Sequence, residues 1–219
     1  MAKKLKTGIS VMESIIRNTI EGRRDMLTKK QYNKMKEKYG KVSSWAIWAA
    51  QGDTPKSNVG DLSIFDDEKV LLMLNTGYVF VGLNVSGTEV NTNISDWRNF
   101  HSPNPKHHDY KLRYALKGTP YWGSYITDVI KLHADTNGEN VMSYMKKHPS
   151  ELQRNLESFE EEIAFLGETP VLVAMGDKVY NILRDNLPKN KYKILKIKHY
   201  SFTISKENYR KELLLTLKE

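Results

Sequence analysis

Two short stretches of this chain carry residues suited to chemistry. The first is Gly82-Leu-Asn-Val-Ser-Gly87, where small and polar residues follow directly on the β-branched and aromatic run Tyr78-Val-Phe-Val81. Small residues let a ligand approach the backbone, and Asn84 offers two amide donors and an acceptor at one point. The same composition also suits a tight turn, with Asn and Gly chosen for backbone angle. The second stretch is His199-Tyr200-Ser201, at the end of the alternating basic run Lys193-Ile-Leu-Lys-Ile-Lys198. In an open α/β sheet, ligands bind beyond the carboxyl ends of the strands. Two polar signatures at two such ends can therefore meet on one rim.

The elements that must position them follow from periodicity. Residues 78–81, 126–129, 171–175 and 194–198 read as strands, the last nearest an edge because of its lysines. Val11, Met12, Ile15, Ile16 and Ile20 keep helical spacing. Thr28 is placed to cap a second helix ending near Gly40, whose lysines 29, 30, 34, 36 and 38 form a solvated basic face. Trp45 and Trp48 read as core anchors. Further helices are expected from the caps Ser150, Asp177 and Ser205. Strands alternating with helices predict an α/β fold, a three-layer α/β/α sandwich around a mainly parallel sheet. Residues 1–61 read as a helical segment packed on a main domain of residues 62–219, the two forming one compact unit.

Between the first two strands, residues 88–121 are long, polar and irregular. Such segments inside compact domains are usually functional. A lid or DNA-facing loop is expected over residues 91–121, with Arg98, Lys106, Lys111 and Arg113 as its phosphate-contacting cations. His101, His107, His108 and Asp109 lie there too, but their spacing matches no defined metal site, so no metal is expected.

The chain has 219 residues, a net charge of +8 and a pI near 9.4. That balance favours an anionic partner, nucleic acid before membrane. The absence of cysteine excludes disulfides, cysteine–zinc sites, iron–sulfur clusters and thiol nucleophiles. No apolar run reaches the ~18 residues of a membrane helix, and the lysine-rich start lacks a secretory signal, which makes a cytoplasmic location the expectation. Neither a Gly-x-Ser-x-Gly elbow nor a phosphate-binding Gly-x-x-x-x-Gly-Lys loop is present.

Gly82-Leu83-Asn84 and His199-Tyr200-Ser201 together resemble the two motifs of the uracil-DNA glycosylase superfamily. The likeness is closest to its mismatch-specific uracil/thymine branch, whose first motif reads Gly-Ile-Asn-Pro-Gly. Val85 and Ser86 stand in place of the proline and glycine, and Tyr200 stands where the second motif often has proline. The resemblance implies hydrolysis of the N-glycosidic bond of uracil or a mismatched base flipped out of DNA, with no cofactor. It implies that Asn84 positions the attacking water. His199 and backbone amides near Val85 and Ser86 would support the departing base. Gly82 and Ser201 enter the site with their motifs. Phe100 is a candidate to stack on the base, or else a local anchor, and Thr127 and Asp128 could read a base edge. The alternatives are an inactive nucleic-acid-binding protein of the same fold, and an unrelated small α/β hydrolase.

Overall fold

The computed structural model describes residues 27–49, 56–85, 94–167 and 169–218. The helix expected near residues 10–20 lies outside them, as do Ser86 and Gly87. The first described helix, α1 (Lys29–Tyr39), starts at Thr28, whose hydroxyl accepts from Gln31 N–H at 3.2 Å. The Gln31 side chain returns the bond to Thr28 N–H at 3.0 Å, completing a capping box. Tyr32, Met35 and Tyr39 form its buried face. Gly40 ends it in a right-handed conformation (φ −55°). The glycine is needed there for space, since a β-carbon would collide with the Lys36 carbonyl.

Among the described residues five strands build one sheet: β1 (Ser43–Trp45), β2 (Asn75–Asn84), β3 (Ser124–Ile130), β4 (Val171–Met175) and β5 (Ile194–Ile197). Their order is β1-β3-β2-β4-β5, with β1 antiparallel to β3 and every other pair parallel. Strand β1 was not anticipated. Its three buried residues carry no alternation for a period-two pattern to reveal. Strand β2 is longer than residues 78–81, because β3 pairs with it from Asn75 opposite Ser124 to Asn84 opposite Ile130, while β4 pairs with it over Tyr78–Val81 alone. Asn84 is thus the last residue of the strand and not part of the following loop. β5 forms the basic edge that its lysines suggested.

Helices cover both faces. α3 (Gly138–Lys147), α4 (Pro149–Ala164) and α5 (Asp177–Asn186) pack with α1 against Val79, Val81, Tyr125 and Val129. α2 (Asp109–Leu116) and α6 (Lys206–Leu217) pack against Phe80, Ile126 and Val173 on the other. α2 lies within the stretch expected to be an irregular lid. Leu112, Ala115 and Leu116 recur at helical spacing and bury against α6, although polar residues dominate the segment. The expected caps also shift. α4 begins at Pro149 after His148, so Ser150 falls inside the first turn, and Asp177 is the first residue of α5 after Gly176. Ser205 caps α6, accepting from Asn208 N–H at 3.2 Å. No helix among the described residues is long and apolar enough to cross a membrane.

Candidate functional site

From β2 the chain passes to β3 on one side and later to β4 on the other, so the carboxyl end of β2 is the topological switch point of the sheet. Val81 and Lys196 are both paired with Ala174. Asn84 and His199 each lie three residues further along, so register puts them at one level, with β4 between. They share the sheet face of Gly82 and Ile197, and two inter-strand spacings separate their backbones by roughly 10 Å. His199 also lies against the end of β4, since a β-carbon on Gly176 would sit 3.9 Å from that of His199.

Each side chain is oriented by local bonds. The Asn84 amide nitrogen donates to the Asp135 carbonyl at 2.8 Å and to the Val85 carbonyl at 3.1 Å. Both partners are acceptors, which assigns the NH₂ to that side and makes Oδ1 the acceptor end. At His199, Ser201 N–H donates to Nδ1 at 3.2 Å, with the Ser201 hydroxyl 2.8 Å from the same nitrogen. The ring proton is therefore on Nε2. Burial of the ring against the protein, with His108 nearby, holds the imidazole neutral down to about pH 4. The ring stacks on Tyr200 at 4.3 Å.

The floor of the rim is the pair Gly82 and Asp128, opposite each other in β2 and β3. Asp128 is buried and accepts from Asn99 Nδ2 at 2.9 Å. Burial raises its carboxyl to about 7, against the stabilising effects of Asn99 and Lys131. Phe100 approaches Gly82 from above, and its ring meets Tyr200 edge-on at 6.5 Å. Asp109 lies beside the Tyr200 hydroxyl and accepts from Ser102 N–H at 2.7 Å; burial raises it to about 6. The rim thus carries two carboxyls able to hold protons near neutral pH, a neutral imidazole donor and an amide acceptor.

Thr127 is turned to the other side of the sheet, where its hydroxyl donates to Glu162 at 2.8 Å. That side holds a buried network: Lys131 pairs with Glu162 at 2.6 Å, and Tyr125 donates to Glu162 at 2.7 Å. Lys131 also donates to the Asp128 carbonyl, tying the network to the site strand. His101 is buried between the Ile47 and Asn99 carbonyls, each at 2.9 Å, and burial lowers it to about 4. It supports the loop that carries Asn99 and Phe100. Among the described residues no group of three His, Cys, Asp or Glu could hold a metal ion.

The four cations expected to face DNA divide sharply. Lys106 is exposed. Arg98 is half-buried and donates to the Gly60 carbonyl at 2.8 Å. Lys111 and Arg113 are buried, bonded to the carbonyls of Phe202 at 2.7 Å and Ser57 at 2.5 Å. These two hold loops against the core in place of the phosphate contacts expected of them. Tyr200 enters the sequence reading only as the middle residue of its motif and Asp109 only among the residues weighed for a metal, while Asn99 carries no sequence signal beyond its place next to Phe100. Compared with protein-family profiles, curated proteins and solved structures, the chain matched none.

Proposed function

We propose that this protein is a DNA glycosylase that hydrolyses the N-glycosidic bond of uracil or a mismatched base held at the carboxyl rim of a uracil-DNA glycosylase-like sheet. The observation that carries this reading is the fixed orientation of Asn84, with both amide hydrogens engaged by main-chain carbonyls, level with His199 on one face. Asn84 Oδ1 then accepts a hydrogen from the attacking water. An amide is too weak a base to deprotonate it, so orientation is its contribution. The water oxygen bonds to C1′ as the C1′–N bond breaks, the electron pair leaves on the base, and the water's proton passes to the departing base anion as the C1′ hydroxyl forms. His199 Nε2–H and the Val85 amide are the donors for that developing anion. Asp128 faces the base from the floor: with its proton it donates to a base carbonyl, and without it accepts from a base N–H. Flipping the base costs a few kcal/mol of lost stacking and pairing, which Phe100 offsets in part.

The test is abasic-site formation on oligonucleotides containing uracil or a G·T mismatch, by the wild-type chain and by Asn84→Ala. Base release that Asn84→Ala abolishes, with binding retained, supports the mechanism. Tight binding without base release by the wild-type chain defeats it, and favours a non-catalytic binder of the same fold.

A further inference from the structure

Among the described residues four large apolar side chains stand out in solvent: Leu72, Leu132, Phe202 and Leu215. Leu132 and Phe202 follow the carboxyl ends of β3 and β5, and Leu215 lies on α6. Leu72, 48% exposed, stands three residues before β2 begins, at the amino end of the sheet and away from the rim. It belongs to a 3₁₀ helix, Glu68–Met73, in which Val70 alone is buried. Leu71 and Met73 are half-buried, as are Leu62 and Ile64 just before them. Those four pack on the outside of the core cluster that contains Phe65 and Val70. An apolar strip of this kind, bordered by charge, marks an interaction surface. Its border is acidic in a chain of net charge +8: Asp66, Asp67 and Glu68 are all exposed. Asp66 and Asp67 form no ion pair among the described residues.

The occupant follows from where the chain enters. Leu27 is buried in the same core cluster, and Lys29, at the start of α1, is bonded to Glu68. The chain before Leu27 therefore starts out beside the strip. Residues 1–26 carry six Lys and Arg against three Asp and Glu, with Arg23 and Arg24 nearest the acids. Val11, Met12, Ile15, Ile16 and Ile20 keep helical spacing. An isolated helix shorter than about 12–15 residues is marginal in water, so an apolar face there needs a surface to cover it. A helix over residues 10–20 spans about 16 Å and the 3₁₀ helix about 12 Å, so one can lie along the other. The link from Ile20 to Leu27 reaches about 25 Å at full stretch, whereas β2 alone puts about 30 Å between the strip and the rim.

We propose that residues 10–20 fold back as a helix over the 3₁₀ helix Glu68–Met73, laying Ile16 on Leu72 and bringing Arg23 and Arg24 to Asp66 and Asp67. The occupant is thus this chain's own basic segment. The strip lies at the opposite end of the sheet from Asn84, so the docking is independent of the glycosylase reading.

The absence of native cysteine makes the test direct. Cysteine pairs are placed in the full chain: Leu72→Cys with Ile16→Cys, and Leu72→Cys with Asn18→Cys, positions 16 and 18 being on opposite faces of a helix. A third pair joins Ile16→Cys to Lys106→Cys, exposed just before α2. With a short bifunctional thiol reagent in dilute solution, the 16–72 pair should close within one chain about tenfold faster than either other pair. Met12→Asp with Ile20→Asp should remove that advantage. Trypsin should cut after Arg17 about tenfold faster in Leu72→Glu than in the wild-type chain, because the docked helix then opens more often. Position 72 is exposed, so Leu72→Glu should keep the wild-type circular dichroism of the main domain. Equal closure of the three pairs overturns the proposal, as does cleavage that Leu72→Glu leaves unchanged. Links formed only between chains also overturn it, and assign the strip to a second copy. Neither readout involves base release, so failure here is distinct from failure of the glycosylase.

Discussion

Gly82 lies directly opposite Asp128 in the β2–β3 ladder, so close that a β-carbon at position 82 would collide with Asp128 Oδ1 and sit 3.3 Å from Phe100 Cζ. Only a residue without a side chain lets the carboxyl and the ring share this floor. Gly82→Ala should displace both, costing about 1–3 kcal/mol of stability as overpacking does. Any base release should fall by more than the stability loss explains. Urea unfolding together with single-turnover assays separates the two effects. An alanine variant with wild-type stability would mean the carboxyl moves aside freely.

The raised carboxyl of Asp128 makes stability depend on pH with a definite sign. An unfolded aspartate loses its proton near 3.8, whereas folded Asp128 keeps it to about 7. Between those values the unfolded chain binds fewer protons than the folded one, so this contribution is full below about pH 4 and is lost as pH rises to 7. Asp128→Asn cannot ionise and should escape the decline. Its stability relative to wild type should climb across that window, by a few kcal/mol at most. Buried His101 acts in the opposite direction, with stability lost as pH falls from 6.5 toward 4. Subtracting one denaturation series from the other removes that shared term. A flat difference between the two curves would show that Asp128 titrates normally.

Asn84 and His199 should behave as one unit in the proposed reaction. His199→Ala should slow base release by about 2.7–4 kcal/mol, the scale of one lost donor to a developing anion. Asn84→Ala should lower the rate and leave affinity for an abasic-site oligonucleotide nearly intact, because water is positioned only for the chemical step. The double variant should lose less than the sum. His199 stays neutral down to about pH 4, so its titration should leave the rate unchanged between pH 5 and 8. A rate limb near pH 6.5 that vanishes in His199→Ala would contradict the assigned proton position.

Lys106 and Lys111 sit five residues apart but should respond in different assays. Exposed Lys106→Gln should weaken oligonucleotide binding and lower the salt slope by roughly 0.9. Lys111→Met should leave that slope unchanged. It instead removes the bond to the Phe202 carbonyl, costing on the order of 1–3 kcal/mol of stability. The reverse pattern in salt titrations and thermal melts would return Lys111 to the DNA surface.

Glu162→Ala should be among the most damaging substitutions on the other face of the sheet. It strands Lys131, 6% exposed, without its carboxylate, leaves Thr127 without its acceptor and leaves Tyr125 only the Ser43 hydroxyl, at 2.6 Å. Breaking a buried pair by removing one partner costs about 3–5 kcal/mol. Replacing both members, as in Glu162→Leu with Lys131→Met, should recover much of that loss in urea unfolding.

Much of this architecture is written locally. Residues 171–175 are a continuous apolar run, which declares a strand buried on both faces, and β4 occupies those positions. Thr28 with Gln31, and Ser205 before Lys206, announce helix starts because a cap needs only its own first turn. The polar ends at Asn84 and His199 are equally local, and strand–helix alternation implies that they share a rim. What the tertiary structure alone decides are contacts between residues distant in sequence. Lys111 and Arg113 read as surface cations until their carbonyl partners, 91 and 56 positions away, bury them. The side of the sheet to which Thr127 turns depends on the β2–β3 register and on Glu162, a residue of α4. The raised carboxyl of Asp128 is likewise a product of burial. Periodicity records which residues prefer the interior, but a charge or hydroxyl is fixed by what surrounds it there, and that is settled only when the strands take their order.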